Sequence, residues 1–176
     1  VGSEMCIRDR LVAAGVLTGI LVPQIVRAAS HSDGGARFVS KLLTLGIIVM
    51  LIVTGIVIAL APALITLYAP ESSGETRALT IAFAYWCLPQ LFFYGLYALL
   101  GEILNARRAF GPYTWAPVVN NVVSIVGFVV FLTLFGGSQT TVSTWTPAMI
   151  TLLGATATSG IALQALVLLL LSLIHI

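Results

Sequence analysis

The sequence predicts an all-α, polytopic membrane protein, and three observations carry that reading. Of its 176 residues 59% are hydrophobic and 8% are charged, and the mean hydropathy is +1.09. So few polar groups cannot cover a soluble surface. The apolar residues fall in runs close to the roughly 20 that a bilayer core requires, divided by short polar segments. The charges gather in those segments, and Glu102 is the only carboxylate inside an apolar run.

The two ends stand apart from this pattern. Residues 1–10, VGSEMCIRDR, are polar and lack the apolar stretch and small-residue cleavage site of a signal peptide. LSLIHI at 171–176 can be encoded by CTG TCT CTT ATA CAC ATC. The reverse complement of that DNA, in another frame, encodes Met5 to Asp9 and begins the codon of Arg10. Inverted copies of one short DNA sequence at both termini resemble the adaptor ends of sequencing libraries. Residues 1–10 and 171–176 are therefore expected to be read-through scars, and Cys6, Arg8 and His175 carry no functional argument.

Between them five spans are expected, at about 11–26, 42–67, 79–104, 116–135 and 147–170. The first is short, with Pro23 near its end. Arg27 to Lys41 reads as an interfacial loop, carrying Arg27, Arg37 and Lys41 against Asp33, with Gly34 and Gly35 as flexible positions. His31 has no second ligand at metal spacing and reads as solvated. In the second span Gly46, Thr54 and Gly55 are small positions that would let a neighbour approach, and Pro62 breaks the far end. The segment from Tyr68 to Arg77 holds Glu71 and Glu75 with one base and belongs on the other side, with Tyr68 at the interface.

The third span is rich in aromatics, and Pro89 at its middle is expected to kink it and to offer a possible hinge. Glu102 lies in its last turn, where it can snorkel to water or pair with Arg107 or Arg108. A basic elbow containing Pro112 follows, and the next helix is expected to open at Pro117. Asn120 and Asn121 fall in its first two turns, where amides bond to neighbouring helices. GGSQTTVSTWT at 136–146 is an uncharged loop, and Pro147 suits the first turn of the last span. That span carries small residues at Ala155, Thr156, Ser159 and Gly160, which permit close packing, and one amide, Gln164.

The stretch from Tyr94 to Val123 combines G-x-I-L-N-A-R-x-x-F-G-P with W-A-P-V-V-N-N. Through Gly95, Gly101, Leu104, Asn105, Phe110, Pro117 and Asn121 it resembles the MurJ/MviN family of lipid II flippases. A looser likeness runs from about Leu11 to Leu170, equivalent to the end of the second through the sixth of that family's fourteen spans. The resemblance implies a fragment forming part of one helical lobe of a transporter of the MOP superfamily. It implies alternating access in the bacterial cytoplasmic (inner) membrane, moving the lipid-linked peptidoglycan precursor between its faces. The partners implied are the lipid bilayer, that precursor and the remainder of the same transporter chain. The family's cavity arginines lie mainly in spans outside this sequence, so the substrate-binding residues are unknown here.

Other chemistries find no support in the residues. There is no phosphate-binding glycine loop, Cys/His metal cluster, nucleophile elbow or pair of carboxylates in one span, so neither catalytic residues nor a cofactor nor a metal is expected, and the chain reads as no enzyme. The bases form no stripe for nucleic acid. With Cys87 in a span and Cys6 in a discounted segment, no disulfide framework is implied. A related exporter of another polyprenyl-linked sugar or drug, and a non-transporting scaffold of a cell-wall complex, are the other classes considered. Arg27, Arg37, Lys41, Arg107 and Arg108 face Arg77 alone across the intervening spans, so the positive-inside rule puts the basic elbow and the first loop in the cytoplasm.

Overall fold

The computed structural model describes residues 19–72, 74–137 and 141–175. Residues 1–18 and 176, on which most of the first expected span and much of both end segments fall, lie outside the described residues. The helices are α1 (Gly19–Ala28), α2 (Ala36–Ala59), α3 (Ala61–Tyr68), α4 (Gly74–Cys87), α5 (Gln90–Ala106), α6 (Phe110–Phe135) and α7 (Pro147–His175), with a 3₁₀ turn at Val142–Thr144. Among the described residues there are no strands.

Among the described residues four stretches are long and apolar enough to cross a membrane: Ala36–Ala59, Gly74–Ala106, Tyr113–Phe135 and Pro147–Ser172. Their outer faces agree with that. Leu45, Ile52 and Ile56 of α2 and Ile125, Phe128 and Leu134 of α6 are all more than half exposed. In water such faces would be a large liability, whereas acyl chains are as apolar as the side chains themselves. The chain is thus a multi-pass membrane protein whose described spans are helices, the form that pairs most backbone groups within the segment.

The core lies along α5 and α7. Leu96, Leu100 and Leu104 of α5 pack with Ala116 of α6 and Ala165 and Leu168 of α7. On its other side α5 meets α1 and α2 through Leu99, Ile103, Ile25 and Val39. Van der Waals packing has to hold these helices together in lipid, and small residues let it happen. A Cβ on Gly46 would reach Leu99 Cδ2, one on Gly95 would reach Met50 Sδ, and one on Gly154 would run into Trp86. The pairs 46/99 and 50/95 show that α2 and α5 run antiparallel. Gly55, in contrast, has nothing within 4 Å, so it admits no neighbour.

Three element boundaries differ from those expected. The second span begins at Ala36 and ends at Ala59; the residues beyond form the separate α3, with Pro62 in its first turn. Arg77 lies within α4 and not in a loop, and its Nη2 donates to Thr66 Oγ1 at 2.6 Å, tying α4 to α3. The helix expected to open at Pro117 starts at Phe110, with Pro117 inside it. Pro112 falls in the first turn, where a missing N–H breaks no bond. Pro147 does begin α7, and Pro89 does interrupt its span, at the junction of α4 and α5.

Candidate functional site

Two features of this bundle can bear on function: a cationic end, and two proline breaks repaired by neighbouring helices. The antiparallel register of α2 and α5 brings the start of α2 beside the end of α5. Arg27, Arg37, Lys41, Arg107 and Arg108 therefore share one end of the bundle, with Asp33 and Glu102. Glu71, Glu75 and Arg77 belong to the other end, near the 3₁₀ turn and Trp145, whose ring packs on Phe83 and Phe131 with centroids 5.6 and 6.0 Å away. Lys41 is the sixth residue of α2 and is exposed.

The first loop is held by its own aspartate. Asp33 Oδ1 accepts from the Gly35 N–H at 3.1 Å and Oδ2 from the Arg37 N–H at 3.3 Å, satisfying an open donor at the start of α2. These backbone donors, Gly35 foremost, hold the Asp33 carboxyl below its usual range. Gly34 and Gly35 have φ of 60° and 81°, which a side chain would resist. Beside this loop a concavity of about 380 Å³ is lined by His31, Asp33, Arg37 and Lys41 among others.

The elbow is a helix stop of defined geometry. Arg108 N–H donates to Asn105 O at 3.0 Å and Ala109 N–H donates to Leu104 O at 2.9 Å, the two bonds of a Schellman motif. Its left-handed position is held by Arg108, at φ 61°, where glycine is the usual residue. Ala109 then packs on the Leu104 cluster, as the motif's apolar contact requires. Arg108→Gly is expected to stabilise the fold by about 0.5 to 1 kcal/mol, since the left-handed strain outweighs the added freedom of the unfolded chain. Arg108→Val should do the opposite, and equilibrium unfolding in mixed micelles would rank the three.

Past the elbow, Pro117 has no N–H for the carbonyl of Tyr113, four residues earlier. Tyr97 Oη of α5 donates to that carbonyl at 3.0 Å, and the two tyrosine rings stack at 5.0 Å with an interplanar angle of 18°. The ring of Tyr113 fills the space over Gly101, where a Cβ would overlap it. Pro89 removes the donor for the Tyr85 carbonyl and breaks the ladder, and a second repair falls on the next carbonyl. There Thr158 Oγ1 of α7 donates to Trp86 O at 2.7 Å, while Gln90 Nε2 donates to Thr158 Oγ1 at 3.2 Å. Neither hydroxyl's role is visible in sequence, because each depends on which residues a different helix brings alongside.

The residues singled out in sequence thus take distinct places. Gly95 and Gly101 are contact points for Met50 and Tyr113, and Leu104 is fully buried. Asn105 supplies a carbonyl to the elbow. Phe110 starts α6. Arg107 caps α5 and is half-buried, and Arg108 is exposed. The amides at 120 and 121 separate: Asn120 Oδ1 lies where a Cβ of Gly160 would fall, and Asn121 is exposed. Among the described residues no three His, Cys, Asp or Glu side chains cluster as a metal site.

A family model described as lipid II flippase MurJ matches residues 7–174. The chain belongs to the MurJ family. A curated relative named "Probable lipid II flippase MurJ", from Rickettsia prowazekii (strain Madrid E), is 28% identical over 125 residues, covering 69% of this chain and 25% of that protein. The chain spans about a quarter of the length of this relative. No solved structure matches the chain significantly. The range matched by the MurJ model includes the whole hairpin with Gly95, Gly101, Pro117 and Asn121, and also residues 7–10 and 171–174.

Proposed function

We propose that this chain is part of one helical lobe of a lipid II flippase, which moves the lipid-linked peptidoglycan precursor across the bacterial cytoplasmic membrane by alternating access. The match to the MurJ family along residues 7–174 carries this reading, and the four apolar spans agree with it. Transport by such a protein is conformational and needs no catalytic residue or cofactor of its own.

The five cations at one end set the orientation. Cationic loops stay in the cytoplasm, so the Schellman elbow and the Asp33 loop face inward and Glu71 and Glu75 face outward. Single cysteines replacing Ser32 and Glu71, with Cys6 and Cys87 changed to serine, are expected to react with an impermeant thiol reagent from opposite sides. Labelling from the same side would contradict this orientation.

In this account the hairpin from Tyr94 to Val123 is a rigid support and does not hold the substrate. Gly101, Tyr97, Tyr113 and Pro117 all serve the contact of α5 with α6, and Arg107 and Arg108 sit at the surface. Residues 11–170, substituted for the equivalent spans of an established lipid II flippase, should rescue a bacterium depleted of its own. Normal amounts of the hybrid in the membrane without rescue would count against the proposal.

A further inference from the structure

We infer that α3 and α4 form a movable arm, hinged at Leu60–Pro62 and at Leu88–Pro89 and latched to α7 by the Thr158 hydroxyl. This stands without the transport reading, because it concerns only how the bundle is jointed. The two halves of the broken span are packed very differently. Six of the 17 residues of α5 are buried, whereas none of the 14 residues of α4 is. One half is anchored in the core and the other lies on its surface.

The arm is a unit of its own. Arg77 Nη2 bonds to Thr66 Oγ1 across α3 and α4, and Ile65 of α3 is buried beside Ala84 and Leu88. At each boundary a proline interrupts the backbone ladder, Pro62 at the second position of α3 and Pro89 just before α5. Such breaks are where long helices bend. The contacts that hold the arm to α7 include Trp86 against Gly154, and the Thr158 hydroxyl on the Trp86 carbonyl with Gln90 beside it. Phe83 adds an edge contact to Trp145.

A side-chain hydroxyl is an exchangeable partner for that carbonyl, since Trp86 O can instead take a backbone donor if the helix straightens. There is also room to move. An apolar crevice of about 220 Å³ lies between α4, α6 and α7, lined by Phe83, Cys87, Ser124, Phe128, Gly154 and Ala157 among others. Swinging α4 about Pro89 widens or closes this crevice while α5 stays in place.

The test uses spin labels on the chain in vesicles, with both native cysteines changed to serine. One pair, Ala78→Cys and Leu132→Cys, reports the arm against α6; the other, Ala98→Cys and Leu166→Cys, reports α5 against α7. The arm pair is expected to show a broader distance distribution than the reference pair. Thr158→Val should raise the open population by up to about tenfold, the effect of losing one hydrogen bond, while Thr158→Ser should not. In a Pro89→Ala background, where the helix can run straight and Gln90 N–H can reach Trp86 O, Thr158→Val should change little. An arm pair as narrow as the reference pair and indifferent to Thr158→Val overturns the inference. So does an equal response of both pairs, or a Thr158→Val effect that survives Pro89→Ala.

Discussion

Gly160→Leu is expected to destabilise the bundle by about 3 kcal/mol, the upper end of what overpacking costs. The helices α6 and α7 form the most extensive contact of the fold, and they approach at two points. A Cβ on Gly127 would overlap Thr156, and a Cβ on Gly160 would overlap Asn120 Oδ1, with the Asn120 carbonyl oxygen at 3.4 Å. At the second point the obstacle includes backbone, which cannot rotate out of the way. Leucine there must push the helices apart, and the loss extends to the packing of Ile161, Ala165 and Leu168, all buried on α7. Gly55→Leu is the control, because nothing lies within 4 Å of that glycine and the change should stay within about 0.5 kcal/mol. Equilibrium unfolding in mixed micelles would measure both. Equal effects of the two substitutions would mean that α6 and α7 do not meet at Gly160.

Tyr97→Phe is expected to cost about 1 to 3 kcal/mol, the penalty for leaving a carbonyl unpaired in apolar surroundings. The substitution keeps the ring that stacks on Tyr113 and removes only the hydroxyl that donates to the Tyr113 carbonyl. That carbonyl has no helical donor because residue 117 is proline. Pro117→Ala supplies the missing N–H, so in that background Tyr97→Phe should cost at least about 1 kcal/mol less. Additive losses in the double-mutant cycle would show that the hydroxyl's partner is not what makes it valuable.

These two cases also show what sequence can and cannot convey. Apolar runs and the absence of charge within them made the membrane class legible, since it follows from chain-local chemistry. Pro62, Pro89 and Pro147 acted as local rules predict. Pro117 did not, because a tyrosine 20 residues earlier compensates for it, and only the fold brings the two together. Gly46 and Gly55 look alike in sequence but lie on opposite faces of α2, nine positions apart, and only one face meets α5. Asn120 and Asn121 differ for the same reason: adjacent residues on a helix point about 100° apart, so one meets α7 and the other is exposed. The two basic loops were legible as lying on one side of the membrane, whereas the packing of the start of α2 beside the end of α5 required their antiparallel register.

The proposal that this chain is part of a lipid II flippase is tested most directly by translocation itself. A hybrid flippase carrying residues 11–170 would be reconstituted into vesicles, and headgroup-labelled lipid II would be followed from one leaflet to the other, with cysteines at Ser32 and Glu71 reporting insertion. The account predicts translocation at a rate comparable to that of the parent flippase. A hybrid that inserts normally, labels on opposite faces and moves no lipid II would contradict it.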